Sequence, residues 1–211
     1  MLYLDELAEF SRNALEVMRQ PLEEGSITIA RAAGTVTYPA RFMLVASMNP
    51  CPCGYRGSRA NDCRCDDATV ARYVAKLSGP LLDRIDLHVT VARVSFEEMV
   101  GGRDVESSEA IRERVEAARE TQRHRLERLN IACNAEIGAA DVRVVCELDG
   151  GSMELLHAAM TRGSVSARAF DRIARVARTI ADLAGAPQIS RAHVAEALLY
   201  RSIDRTIHVR R

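Results

Sequence analysis

Leu2-Tyr3-Leu4-Asp5-Glu6 decides how the rest of this chain is read. Met1 to Leu4 is an apolar run with no turn or cap residue before it, and two acids follow at once. Buried parallel strands read as short apolar runs, and ligand chemistry gathers at their carboxyl ends. Residue 1 therefore reads as lying inside a strand, and the chain as a fragment. An acidic pair at a strand end presents one carboxylate, Asp5, to magnesium and a second, Glu6, to polarise a water. Arg41 to Ala46 is a second buried strand and runs into Ser47-Met48-Asn49-Pro50. The Asn49 amide is then placed on a neighbouring strand to orient the same water.

Composition bounds the rest. The 211 residues carry 29 basic and 29 acidic side chains, which excludes a polybasic tail or a uniformly positive nucleic-acid binder. At 47% hydrophobic and 27% charged the chain is neither disordered nor membranous. Apolar runs such as Phe42 to Ala46 fall far short of the roughly 18 residues of a spanning helix, and no signal segment opens the chain. The expectation is a soluble, cytoplasmic protein with no membrane partner. Lys76 is the only lysine among the 29 basic residues. That is coding bias, so an arginine here has a role only by position.

Ser11 to about Arg19 reads as a helix that Pro21 ends. Ser26 to Arg31 and Thr35 to Tyr38 alternate apolar and polar around Ala32-Ala33-Gly34, a hairpin pattern. Then come a helix from Ala68 to Leu77, a turn at Ser78-Gly79-Pro80 and a strand from Leu87 to Val94. A boundary falls near residue 100, at Gly101-Gly102, dividing an α/β part (1–100) from an all-helical part (101–211). Glu109 to Asn130 is a charged helix with the apolar line Ile111, Val115, Ala118 and Leu126. Ser166 caps a helix to Gly185 and Ser190 caps another, with Val165/Phe170 and Ile189/Val194 as hydrophobic staples.

Arg84 lies between Asp83 and Asp86 and reads either as a local ion pair or as an arginine finger. Such a finger is worth about 10³ to 10⁵ in rate. On the helix that follows Ser166, Arg168, Arg172, Arg175 and Arg178 form one stripe, opposite Phe170, Ile173, Ala177 and Ile180. The last three arginines read as a solvated face. Arg168 lies in the first turn, where unpaired N–H groups favour an anion, and is the best-placed phosphate sensor.

Of six cysteines, four lie in Cys51-Pro52-Cys53 and Cys63-Arg64-Cys65. Four thiolates satisfy tetrahedral zinc in a closed, structural site, although redox-labile thiols or another metal remain open. The loop between the pairs, with Arg56, Arg59, Asn61 and Asp62, has too few apolar residues to fold unaided, which favours a metal staple. Cys133 and Cys146 read as buried apolar thiols. The five histidines show no ligand spacing.

Taken in order, LYLDEL (2–7), RQPLEEG (19–25), ASMNP (46–50), CPCGYRG (51–57), CRC (63–65), GPLLDRIDLH (79–88) and SARAFDRIARVARTIADLAG (166–185) resemble the YifB/ComM group of magnesium-chelatase-like AAA+ ATPases. The resemblance covers essentially the whole chain, from the Walker B strand through a chelatase-type C-terminal domain. It implies an α/β AAA+ core, truncated on its N-terminal side, followed by a helical lid. It implies a hexameric ring ATPase that uses ATP with Mg²⁺ to move DNA, including branch migration in natural transformation. Asp5 would hold magnesium and Glu6 activate the water. Asn49 would be sensor 1, Arg84 the finger acting on a neighbour's nucleotide and Arg168 sensor 2. The hairpin would be the pore-facing one, with Arg31 beside its turn as a DNA-backbone contact.

One departure stands out. A phosphate-cradling GxxxxGK[ST] loop needs a lysine after glycine, and Lys76 follows Ala75. In the family that loop and its strand lie upstream of Walker B. This chain alone is therefore expected neither to bind ATP tightly nor to complete its sheet, leaving backbone groups unpaired on neighbouring strands. The other readings are a true magnesium-chelatase motor subunit, which gives the clustered thiols no task, and a non-catalytic zinc-bearing interaction fragment.

Overall fold

The computed structural model describes residues 1–32, 34–57, 63–92, 94, 96–100, 106–162 and 165–201, with the backbone alone described at 97–98 and 167–168. The expected boundary at Gly101-Gly102 lies outside these residues. The chain is mixed α/β and forms two units, one spanning Met1–Ile85 and the other beginning at Asp86.

In the first unit, strand β1 (Leu2–Leu4) leads through a 3₁₀ turn at Leu7–Glu9 to two short helices, α1 (Arg12–Val17) and α2 (Arg19–Glu24). The Ser11 hydroxyl caps α1 by accepting the Ala14 N–H at 3.3 Å. Pro21 does not end a helix as the sequence suggested. It sits in the first turn of α2, where N–H groups have no intrahelical acceptor and its missing donor costs nothing. Gly25 closes α2 at φ 64°, and a Cβ there would stand 2.8 Å from Arg41 Cγ, so both the turn and the close approach require glycine.

Strands β2 (Ser26–Arg31) and β3 (Gly34–Pro39) pair antiparallel, with Ile29 opposite Val36 and Arg31 opposite Gly34. Alternation places Ile27, Ile29, Arg31, Val36 and Tyr38 on one face. Thr28 and Thr37 lie on the other, their hydroxyls 3.0 Å apart. Most of this hairpin is exposed, including Arg31 at its turn end.

Strand β4 (Leu44–Ala46) pairs in parallel with β1, Leu2 opposite Leu44 and Leu4 opposite Ala46. Among the described residues this parallel sheet has these two strands. Helices α3 (Asp67–Val74) and α4 (Gly79–Leu82) follow, capped by Asp66 and Ser78. The buried apolar residues of the unit are Leu7, Ala8, Leu15, Cys51, Tyr73, Leu77, Leu81 and Leu82.

The second unit opens with a segment expected to be a strand. Among its described residues 87–94 joins no ladder, and Leu87, Val89, Val91 and Val94 are exposed. A strand persists by pairing, and apart from one bridge between Leu148 and Ile189 the described remainder of this unit offers helices instead. These are α5 (Phe96–Val100), α6 (Ser108–Leu126), α7 (Ala139–Val145), α8 (Gly150–Thr161), α9 (Ala167–Leu183) and α10 (Arg191–Leu199). Their core gathers Leu126, Ile137, Val142, Leu156, Ile173 and Val194, and takes in the expected staple residues Val165, Ile189 and, half-buried, Phe170. On α6, Ala118 and Leu126 are buried, but Ile111 and Val115 stay exposed. Cys146 is buried as expected; Cys133 is only half-buried.

The arginine stripe of α9 is not a solvated face. Arg178 is 4% exposed and donates through Nε to Asp182 at 3.1 Å, with its remaining nitrogens on the Pro187 and Ala186 carbonyls. Arg172 pairs with Asp86 at 2.7 Å, and Arg175 donates to the Ala135 carbonyl. The Asp182 carboxylate has no exposed side-chain surface. Arg125 grips both its oxygens at 2.7 and 2.6 Å, and Asn134 donates to it at 2.8 Å. A buried charge persists only when paired and hydrogen-bonded, and these donors meet that condition.

Burial pushes the Asp182 carboxyl up, but Arg125, Asn134 and Arg178 outweigh it and hold it below the usual range. A depressed carboxyl stabilises above its unfolded pKa, and that stability is lost as pH falls through the folded value. Asp182→Asn leaves the Arg125 and Arg178 guanidinia without their carboxylate and should cost about 3 to 5 kcal/mol. Urea unfolding across pH checks this, and the variant should lose the acid-sensitive part of the wild-type profile.

Candidate nucleotide and metal site

The β1–β4 ladder continues past both strands. Ser47 N–H donates to the Leu4 carbonyl at 3.0 Å, and Leu7 N–H donates to the Ser47 carbonyl at 2.8 Å. Asp5 and Ser47 are thereby set side by side at the carboxyl ends. Asp5 Oδ1 accepts from the Ser47 hydroxyl, from Tyr3 Oη at 3.3 Å and from the Glu6 N–H at 3.1 Å. The Ser47 bond chiefly, with the Glu6 N–H and Tyr3, holds this exposed carboxyl below its ordinary range, so it is a fixed anion at neutral pH. The motif alone gave Asp5 but neither of its side-chain partners. Tyr3, two residues away on the same strand face, is the signal that was there to read.

Glu6 is exposed and holds a left-handed backbone, φ 51° and ψ 50°. In a non-glycine residue this costs about 1 to 3 kcal/mol and persists only where the surroundings impose it. Here the Leu7 N–H is tied to Ser47 and the Glu9 N–H to the Glu6 carbonyl at 2.7 Å.

Asn49 follows β4 by three residues and is exposed. The ladder thus gathers Asp5, Glu6 and Asn49 at one end of one sheet. Arg84 is in the same unit, with its side chain 10% exposed; it donates to the Pro80 carbonyl at 2.6 Å and pairs with Glu23. Asp86, its expected neighbour, pairs with Arg172 instead. Arg31 stands apart at the hairpin turn. Arg168 belongs to the second unit, in the first turn of α9, and its side chain lies outside the described residues.

The cysteines come together. Cys51 and Cys53 Sγ are 3.4 Å apart, and each lies 3.6 Å from Cys63 Sγ. With Cys65, all four sulfurs fall within 4.8 Å of one another. Four thiolates around one zinc at about 2.3 Å place their sulfurs about 3.8 Å apart, so this spacing fits a single tetrahedral ion. Gly54 and Gly57 make the turn at φ 76° and 78°. That turn aims the Tyr55 N–H at Cys53 and the Arg56 N–H at Cys51. The Tyr55 N–H brings the Cys53 thiol down to about 6. At Cys63 the Cys65 main chain lowers the pKa, but burial and the sulfurs of Cys53 and Cys51 push it up to about 11. Four thiolates this close oppose one another's ionisation, and a divalent cation is what lets them ionise together. The four cysteines could therefore hold a metal such as zinc. Arg56 reaches from the turn to Asp67 on α3 at 2.7 Å. Arg59, Asn61 and Asp62 lie outside the described residues.

Residues 1–99 match the family model of the magnesium chelatase subunit ChlI, and residues 105–201 that of the ChlI C-terminal domain. Among similar proteins, YifB of Escherichia coli K12 is 41% identical over 211 residues, covering 98% of this chain and 40% of its own length. The Mycobacterium tuberculosis H37Rv protein Rv2897c is 43% identical over 201 residues, covering 95% and 39%. The competence protein ComM of Haemophilus influenzae is 40% identical over 208 residues, covering 98% and 40%. The chain thus spans about 40% of the length of these curated relatives.

Two measurements follow from this geometry. The purified chain should carry one metal ion per molecule by elemental analysis, and Cys51→Ser should bring the content close to zero, since a closed site needs all its ligands. Ser47→Ala removes the principal donor to Asp5, so the Asp5 carboxyl should titrate at higher pH by carbon-detected NMR.

Proposed function

Because the chain belongs to the magnesium chelatase ChlI-like family, with YifB and ComM among its relatives, we propose that it forms part of an ATP-hydrolysing AAA+ ring motor acting on DNA, and that alone it is inactive. The observation that carries this reading is the β1–β4 pairing, which sets Asp5, Glu6 and Asn49 at one sheet end. Bound ATP with Mg²⁺ supplies the phosphoanhydride to be cleaved. Asp5, an anion at neutral pH, is the residue for the metal. Glu6, next to it and exposed, takes the proton of the attacking water, and Asn49 orients that water. Arg84 supplies positive charge to a neighbouring copy's nucleotide, stabilising the charge that develops as the phosphoryl group transfers, and Arg168 is kept as the sensor 2 candidate. The intact protein, of which this chain is a part, assembles as a hexameric ring in the cytoplasm.

DNA as the partner rests on the relative named a competence protein and on the exposed hairpin, which brings Arg31 to its tip. Zinc is the ion assigned to Cys51, Cys53, Cys63 and Cys65, in a structural role. A magnesium-chelatase motor is the second reading, favoured by the description of both matching family models. It leaves the four-cysteine cluster without a task.

ATP turnover by the protein in its full encoded length tests the proposal. Glu6→Gln should bring turnover to background, and Arg84→Ala should lower it by about 10³ to 10⁵. Unchanged turnover in Glu6→Gln would sink the assignment. DNA binding that falls steeply with salt and needs no ATP would instead favour a non-catalytic interaction module.

A further inference from the structure

We infer that the four-cysteine site and Tyr73 act together as a positioning device for Asn49, so that metal occupancy sets the geometry of the candidate hydrolytic site. The inference rests on the reading of Asn49 as a water-orienting residue. Its structural content stands on contacts around that residue alone.

Asn49 is followed by Pro50, whose ring fixes its own φ and restricts the residue before it to extended backbone. Cys51 comes next and is completely buried, so the chain is pinned two residues beyond Asn49. Cys53 and Cys63 lie 3.4 and 3.6 Å from the Cys51 sulfur, so an ion held there would draw the returning loop onto the same point. The turn then comes back across Asn49. A Cβ on Gly54 would stand 3.7 Å from Asn49 Oδ1, so the bare glycine faces the amide. The Gly54 N–H closes that turn on the Cys51 carbonyl at 3.0 Å.

Tyr73 completes the enclosure from α3. Tyr73 is 5% exposed, and the Asn49 main-chain N–H lies within reach of its hydroxyl. Lys76 lies over its ring, 5.7 Å from the centroid, and bonds Glu9 at 3.4 Å on the turn that follows Glu6. Burial first, then the nearby Glu9, pushes the phenol pKa up, so it stays a neutral hydroxyl at working pH. The Arg56–Asp67 pair ties the cysteine turn to the start of the same helix. The Asn49 backbone is thus flanked by the cysteine turn and by Tyr73, while its own side chain remains exposed at the sheet end.

The cluster so placed has a consequence that a distant fold staple lacks. Releasing its ion frees Cys51, and with it the exit of β4, while α1 and the second unit contain none of these contacts. Loss of metal should therefore alter Asn49 before it alters residues elsewhere.

The test is NMR of the asparagine amides in the metal-loaded chain, with Asn13 and Asn134 as internal references. Removing the metal with a chelator should shift both the backbone and side-chain amides of Asn49 by more than a linewidth and leave Asn134 in place. Should chelation unfold the first unit, Tyr73→Phe provides the second arm. It should keep one metal per chain and an unmoved Asn13, yet displace the Asn49 amides. Asn49 signals that stay put in metal-loaded Tyr73→Phe, or that stay put on metal loss with Asn13 unmoved, would overturn the proposal. Failure of the ATPase reading shows separately, as unchanged turnover in Glu6→Gln.

Discussion

The parallel pairing of Leu2–Leu4 with Leu44–Ala46 is the contact on which the first unit's chemistry depends. It joins two segments separated by two helices and a hairpin, and its register decides which residues meet at the carboxyl ends. Because side chains alternate along strands, a slip of one residue would move Ser47 away from Asp5 and put Tyr3 on the opposite face. The ladder also sets the direction in which the chain leaves β4, toward Asn49 and the buried Cys51. The acidic pair, the amide and the thiols are consequences of one short sheet.

The second unit rests on a different kind of constraint. Its apolar core is drawn from helices whose caps and periodicity are local, but at its centre lies the Asp182 carboxylate, enclosed by Arg125, Arg178 and Asn134. Such a network adds less stability than an apolar core of equal volume, and losing one partner is costly. It ties α6 to α9 and to the 3₁₀ turn holding Asn134, so the ions specify how these elements meet.

Much of this was legible because it is local. Strand-then-acid, the alternating hairpin, the Ser166 and Ser190 caps and the clustered cysteines are patterns within a few residues of one another. What escaped needed a partner far along the chain. A helical wheel shows that Arg172, Arg175 and Arg178 share a stripe, but not that Asp86 and the Ala135 carbonyl face it. Asp182, one turn beyond Arg178, was the local clue to that pair. Pro21 was read as a stop because proline breaks helix interiors, yet a kink of chain after α1 made it a first-turn residue. The segment 87–94 has a strand's composition, but composition supplies no neighbour. Likewise, Glu23 as the partner of Arg84 could not be read from either motif alone, although both were singled out.

The central claim is that four thiolates close around one ion at the exit of β4 and hold Asn49 in place. X-ray absorption at the metal edge of the purified chain tests its premise most directly. The expected result is a shell of four sulfurs at about 2.3 Å with no nitrogen or oxygen ligand. A shell containing nitrogen or oxygen, or fewer than four sulfurs, would contradict a closed tetrathiolate site and remove the fixed point from which Asn49 is positioned.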